Sequence, residues 1–98
     1  MRHFEWDGYK AKLNLQKHGI AFEVAIRVFD DPLAFVEQDR HIEGEERWQA
    51  TGVVGAFTLL VIAHTVRDDN EGNEIIRVIS ARRAERHERR RYEEGKYR

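Results

Sequence analysis

The chain has 98 residues, which favours one domain spanning residues 1–98. Hydrophobic residues make up 41% and charged residues 36%, a balance typical of a compact globule and not of a disordered chain. No apolar run could span a bilayer, no signal-peptide pattern opens the chain, and cysteine is absent. These observations exclude a membrane-spanning helix, disulfide bonds and catalysis by a cysteine thiolate, and we expect a cytoplasmic protein.

Charge is unevenly distributed, although the net charge is only −1. Residues 82–98 hold eight Lys and Arg against four Asp and Glu, whereas residues 1–81 hold nine against 14. A basic end on an acidic body favours an anionic partner such as nucleic acid. The alternative is a solvated helix laced with Arg and Glu, and charge alone favours that alternative.

The first third of the chain predicts a short strand and two helices. "HFEW" (3–6) alternates polar and apolar residues, as a strand does. Asp7 can cap a helix over 8–18, and Gly19 suits its left-handed end. "AFEVAIRVF" places apolar residues at helical spacing, and the "DDP" that follows ends this second helix.

The remaining sequence predicts four strands and a last helix. The strands are expected at "LAFVEQ", "RWQATGVV", "AFTLLVIAHTV" and "IIRVISA". Short turns between them favour antiparallel pairing. Ser80 can cap a helix over 81–94, within the basic segment 82–98. The predicted fold class is α+β, with two N-terminal helices packed on a twisted antiparallel sheet of four to five strands and a C-terminal helix.

The first helix carries a cationic stripe. At about 100° per residue, four polar side chains fall on one side: Lys10, Asn14, Lys17 and His18. Such a stripe can bind phosphate, and a histidine can move a proton near neutral pH. The alternative is that these cations only interact favourably with the negative end of the helix dipole at the C-terminus. Geometry alone favours this alternative.

The later strands contribute arginines. Arg67 closes the third strand of this group, Arg77 lies inside the fourth, and Arg82 follows directly after it. A planar guanidinium suits bidentate contact with phosphate. The alternative is pairing with carboxylates from neighbouring turns and strands, namely Glu45, Glu46 or Glu74.

The last helix is rich in arginine. Helical spacing predicts one basic face made of Arg82, Arg86, Arg89 and Arg90. Tyr92 follows and can stack on a base or donate a proton, or else only anchor the helix to the sheet. Trp48 can likewise stack on a base, although a tryptophan in a small domain is more often core. No close histidine pair is present, so no metal site is predicted.

Three ordered segments together resemble the BrnT toxins of BrnT/BrnA type II toxin–antitoxin systems. They are "FEWDGYKAKLNLQKHGIAFEVAIRVFDDP", "GEERWQATG" and "RVISARRAERHERRRYEE". The resemblance implies a RelE-like fold and a metal-independent endoribonuclease that cuts RNA, blocks translation and needs no cofactor. It also implies a BrnA antitoxin with a ribbon-helix-helix part, through which the complex would bind promoter DNA.

Metal-free RNA cleavage by the 2′-OH needs a base, an acid and cations for the developing charge. We therefore predict five catalytic residues: Lys17, His18, Arg67, Arg77 and Arg82. The arginines would hold phosphate, and Lys17 or His18 would assist proton transfer, with Glu45, Glu46 and Tyr92 as lesser candidates. The residues predicted to bind RNA are Lys10, Asn14, Arg86, Arg89 and Tyr92. The alternative function is a non-catalytic nucleic-acid-binding module that uses the Arg-rich helix.

Overall fold

A computed structural model of the chain describes residues 1–96. The elements are β1 (Arg2–Glu5), α1 (Gly8–His18), α2 (Phe22–Ala25), a 3₁₀ helix (Ile26–Asp30), β2 (Phe35–Ile42), β3 (Glu45–Val54), β4 (Thr58–Asp68), β5 (Glu74–Arg83) and α3 (Arg86–Lys96). The α+β class and the order of elements are confirmed. The second helix is shorter than predicted, since its α-helical part ends at Ala25 and continues as the 3₁₀ helix.

The five strands form one sheet in the order β1-β5-β4-β3-β2. Strands β2 to β5 pair antiparallel as a meander, but β1 pairs parallel with β5. The prediction of a purely antiparallel sheet is therefore wrong. Short turns impose antiparallel pairing only between consecutive strands, and no turn joins β1 to β5.

The turn between β2 and β3 is shorter than the polar segment "RHIEGEER" suggested. Ile42 pairs with Glu45, so only two residues form the turn. Both have positive φ, 52° at Glu43 and 77° at Gly44. Two positive φ values are typical of a tight hairpin turn, and they extend both strands to the turn.

The first face of the sheet is covered by α2 and the 3₁₀ helix. Phe22, Ala25 and Val28 are fully buried there. They pack on sheet residues that alternation directs to the same side, including Ala50, Leu60, Ile62, Val78 and Ala81. Gly52 permits this approach, because a Cβ there would lie 2.9 Å from Cγ1 of Val28.

The second face of the sheet carries α3. Tyr92 and Arg89 line a small cavity together with Val53 and Leu59, which alternation directs to this face. Because β5 runs on to Arg83, Ser80 is not the cap of α3 and Arg82 belongs to the strand.

The start of α3 is capped from within. The carboxylate of Glu88 accepts the backbone N–H of Glu85 at 2.8 Å. The predicted basic segment 82–98 is thus part strand and part helix, and residues 97–98 lie outside the described part. Within residues 1–96, no helix is long and apolar enough to cross a membrane.

Candidate active site

Two arginines lie side by side on the second face of the sheet, beyond the area covered by α3. Arg77 is opposite Thr65, and Arg67 on β4 is opposite Ile75. Nη1 of Arg67 lies 2.5 Å from Oε1 of Glu5, and Arg77 pairs with Glu45. Each ion pair crosses an intervening strand, so the two pairs lie across the open part of the face.

Both pairs are half-exposed, with Arg67 56% and Arg77 41% accessible at their side chains. Ion pairs exposed to this degree contribute little to stability, because solvent screens them. A phosphate can therefore replace either carboxylate at little loss of stability. The hydrogen bond from Arg67 lowers the pKa of Glu5, so that carboxylate stays ionised until an anion displaces it.

A third arginine, Arg47, joins this group. The pairing of Trp48 with His64, continued by one residue, places Arg47 opposite Thr65 and hence in line with Arg77. Its Nε is buried and has no hydrogen-bond partner within the described residues. A buried donor without a partner needs an acceptor such as water or a phosphate oxygen.

We call Arg47, Arg67 and Arg77, with their carboxylates Glu5 and Glu45, the arginine cluster. Sequence reasoning missed Arg47 and Glu5 as members. Alternation did offer a signal for Arg47, since it stands two residues from Glu45 and therefore faces the same side. Glu5 could not be found this way, because the parallel pairing of β1 with β5 was not predicted.

Arg82 is held differently from Arg67 and Arg77. Its two terminal nitrogens donate to the two carboxylate oxygens of Glu88, both at 2.8 Å. The Glu88 side chain is only 10% exposed, and the hydrogen bonds from Arg82 lower its pKa. This bidentate pair attaches α3 to β5, so Arg82 is less available to a phosphate than the half-exposed arginines.

The cationic stripe of α1 lines a separate shallow groove of about 220 Å³. Lys10, Lys17 and His18 share it with Ile79 and Ser80 of β5. None of the residues lining this groove belongs to the arginine cluster. The structure therefore brings Arg67 and Arg77 together but keeps Lys17 and His18 in a different place.

Asn14 lines the same groove as the other three residues of the stripe, but it is the buried member of the stripe. Its side chain is buried, and its amide N–H groups donate to the carbonyls of Ile20 and Ala81 at 3.0 and 2.9 Å. Its amide oxygen accepts the N–H of Ala81 at 3.0 Å. The side chain thus takes the place of a neighbouring strand beside β5, past the end of β1. We leave Asn14 out of the RNA surface proposed below.

The predicted RNA-binding residues of α3 divide in the same way. Arg86 and Arg89 are exposed. Tyr92 is buried, and its hydroxyl donates to Oδ2 of Asp31 at 2.6 Å. This is the anchoring alternative named for Tyr92, so we also leave it out of the RNA surface.

The comparisons with known proteins identify the family. The family model described as "Ribonuclease toxin, BrnT, of type II toxin-antitoxin system" matches residues 6–88. The chain belongs to the BrnT family. This BrnT-family chain is also similar to a crystal structure at 1.1 Å resolution of the Brucella abortus ribonuclease toxin BrnT. The TM-score is 0.54 at 22% identity, over 88% of this chain and 99% of that one. None of the curated proteins compared with the chain matches it.

Proposed function

We propose that this chain is a metal-independent endoribonuclease and that the arginine cluster binds the scissile phosphate. The observation that carries the proposal is that Arg47, Arg67 and Arg77 lie on the same part of the second face, where Arg67 and Arg77 are half-exposed. Membership of a family of ribonuclease toxins supports the same reaction class.

In the proposed reaction the 2′-oxygen of RNA forms a bond to phosphorus while the P–O5′ bond breaks. The products are a 2′,3′-cyclic phosphate and a 5′-hydroxyl. When phosphate binds Arg77, Glu45 is released and can accept the 2′-OH proton, while the leaving O5′ takes a proton from water. Arg47, Arg67 and Arg77 stabilise the negative charge that develops on the phosphoryl oxygens.

Lys17 and His18 have a revised place in this proposal. They line the groove beside α1 and not the arginine cluster. We therefore propose that Lys10, Lys17 and His18 contact phosphates flanking the cut, and that the exposed Arg86 and Arg89 contact the RNA further along.

The sharpest test replaces Arg67 and Arg77 by alanine, one at a time. Removing one donor that stabilises transition-state charge lowers a cleavage rate by about 10²–10³. The matched control is Arg40→Ala, because Arg40 is an exposed strand arginine whose nearest carboxylate is that of its neighbour Asp39, at 3.8 Å. We expect the control to cleave RNA like the wild type, with EDTA present throughout.

Wild-type cleavage by both the Arg67 and the Arg77 variant would refute the site. RNA binding with a steep salt dependence and without cleavage would instead support the alternative, a nucleic-acid-binding module using Arg86 and Arg89. Urea unfolding of each variant shows whether a lost activity reflects a lost fold.

We further propose, from the type II toxin–antitoxin family, that the fold is RelE-like and that cleavage inhibits translation in the cytoplasm. A BrnA-type antitoxin with a ribbon-helix-helix part would neutralise the toxin, and the complex would bind promoter DNA through the antitoxin. Co-expression with such an antitoxin should restore growth and yield a complex that retards promoter DNA in a gel. Growth arrest that persists in the presence of the antitoxin would contradict this part.

A further inference from the structure

A cavity on the first face of the sheet borders the arginine cluster. We call it the His64 cleft. It has a volume of about 680 Å³, within the range of small-molecule sites. Its floor and walls include Phe29, Val36, Trp48, His64, Val66 and Ile76. Two half-buried aromatic side chains, Phe29 and Trp48, make it suited to a flat apolar ring.

The buried histidine gives the cleft a polar centre. His64 is 1% exposed and stands edge-on to the Phe29 ring, with the ring centroids 5.1 Å apart. Its Nδ1 lies 3.3 Å from the carbonyl oxygen of Ile62. A carbonyl only accepts hydrogen bonds, so Nδ1 carries the proton. Burial lowers the pKa of His64, which keeps the ring neutral near pH 7.

The other ring nitrogen, Nε2, is consequently the hydrogen-bond acceptor of the ring. Because His64 lines an aromatic-lined cleft, the cleft suits a ligand that brings an N–H group to this acceptor. An apolar side chain from a partner would fill the cleft and leave this acceptor unsatisfied.

The rim connects the cleft with the arginine cluster. Glu45 and Arg67 line the cleft, and both also take part in the ion pairs of the cluster. Arg2 stands beside them at the same end of the sheet, its guanidinium 5.6 Å from the centre of the Phe29 ring. Cations here suit phosphates on either side of a bound base, and the exposed Glu46 can accept from an exocyclic amine.

We propose that the His64 cleft binds a purine base of the RNA next to the scissile phosphate. The ring stacks on Trp48, and an amino or ring N–H group donates to Nε2 of His64. Adenine and guanine both present such donors, and base stacking on aromatic side chains is a common element of RNA recognition. This inference rests on the proposed function, because it takes RNA as the substrate.

The test is a titration of the full chain with AMP, GMP and ribose 5-phosphate, followed by the two tryptophan indole N–H signals in ¹⁵N NMR spectra. We expect AMP or GMP to shift the Trp48 signal. Trp6 packs edge-on against the core residue Phe22 and should stay unchanged, as an internal control. Ribose 5-phosphate should leave Trp48 unchanged, since it has no base.

A variant sharpens the test. His64→Leu keeps an apolar filling but removes the acceptor, and should weaken AMP binding about tenfold, as expected for one lost hydrogen bond to a buried group. His64→Gln restores an acceptor and should recover part of the affinity. If neither variant folds, the wild-type titration still decides.

Several outcomes would overturn the proposal. They are an unmoved Trp48 at millimolar AMP and GMP, equal binding of ribose 5-phosphate, or a Trp48 shift caused only by the antitoxin, which would make the cleft a protein-docking surface. Nucleotide binding needs no cleavage, so a chain that binds AMP at Trp48 but does not cut RNA would refute the ribonuclease proposal and leave the cleft intact.

Discussion

The two faces of the sheet are covered in opposite ways. On the first face, Phe22, Ala25 and Val28 are fully buried against apolar strand residues. On the second face, α3 has the sequence "RHERRRYEEGK", which contains no aliphatic side chain. It is attached by Tyr92 and by the ion pairs of Glu88 and Arg91. We expect the first, apolar face to supply most of the stability, because most of the buried apolar side chains lie there, although Leu59 and Val61 are buried on the second face. The second, more polar face can carry charges that bind a substrate.

Truncating the apolar face should have the largest effect. Phe22→Ala removes a fully buried ring and is expected to lower the free energy of unfolding by about 3–5 kcal/mol, measured by urea denaturation. The matched control is Phe57→Ala, since Phe57 is 88% exposed and should lose at most about 0.5 kcal/mol. Equal losses at the two positions would show that this face does not hold the core.

The next largest effect is expected at the edge of β5. Asn14→Ala leaves the N–H of Ala81 and the carbonyls of Ala81 and Ile20 without their partner. We expect a loss of about 2–3 kcal/mol in the free energy of unfolding. Gln16→Ala, at an exposed position of the same helix, should change little. An unchanged free energy of unfolding in Asn14→Ala would show that water replaces the hydrogen bonds of the amide.

On the polar face, Tyr92→Phe should lose about 1–2 kcal/mol, because it removes only the hydrogen bond to Asp31 and keeps the ring. The loss should depend on pH. Burial and the bond to Asp31 raise the pKa of Tyr92 from 10.0 to about 12. The hydroxyl therefore stabilises the folded chain fully below pH 10, and this contribution is lost as the pH rises to about 12.

The measurement is the difference in the free energy of unfolding between wild type and Tyr92→Phe, from pH 7 to pH 12. This difference should be constant up to about pH 10 and shrink above it.

The titration of Asp31 predicts a second change in the same difference at acid pH. Burial raises the pKa of Asp31, but hydrogen bonds from Tyr92, Val53 and Leu33 outweigh burial and lower it. Its stabilisation is lost as the pH falls through that lowered pKa. A difference that stays constant above pH 10 would contradict the assignment of Tyr92. Extending the measurement below pH 7 tests Asp31, and a difference that stays constant there would contradict its assignment.

The smallest effect is expected from the most exposed attachment of α3. Nη1 of Arg91 lies 2.5 Å from Oε1 of Glu37, and the Arg91 side chain is 50% exposed. Its guanidinium carbon lies over the Phe35 ring, 5.1 Å from the ring centroid. Arg91→Ala should lower the free energy of unfolding by less than Tyr92→Phe does, and by less still at high salt, because solvent and ions screen this exposed pair. A loss as large as that of Phe22→Ala would remove the distinction between the two faces.

Local signals in the sequence predicted much of this architecture. Asp7 accepts the backbone N–H of Lys10, and Gly19 has a φ of 71°, so both ends of α1 are as expected. The strand meander was likewise predicted from alternation and turn residues. The predicted start of the last helix was wrong, because a local capping signal there competed with strand pairing in β5. Ser80 looks like a helix cap, yet residues 80 and 81 pair with Ala63 and Ile62 as part of β5.

The candidate site was predicted less completely, for a related reason. Residue types and alternation indicated Arg67 and Arg77, because they depend only on chemistry and on a period of two. Pairing with Glu45 of β3 was one of the alternatives that the sequence offered, and Arg77 does pair with it. Glu5, the partner of Arg67, was missed because it lies in β1, far away in sequence. Helical spacing placed Asn14 on a cationic stripe. Spacing within a helix does not show which other element packs against that side of the helix, so the burial of Asn14 beside β5 was not predicted.

The sequence by itself thus determined the family, the element order and the residue types available for phosphate chemistry, since these reside in local patterns and in the ordered series of motifs. Tertiary structure alone decided which cations remain accessible. Arg82 and Tyr92 are committed to holding α3, whereas Arg67 and Arg77 stay half-exposed. The physical reason is that exposure and ion pairing are set by contacts between distant strands, which a linear pattern does not contain.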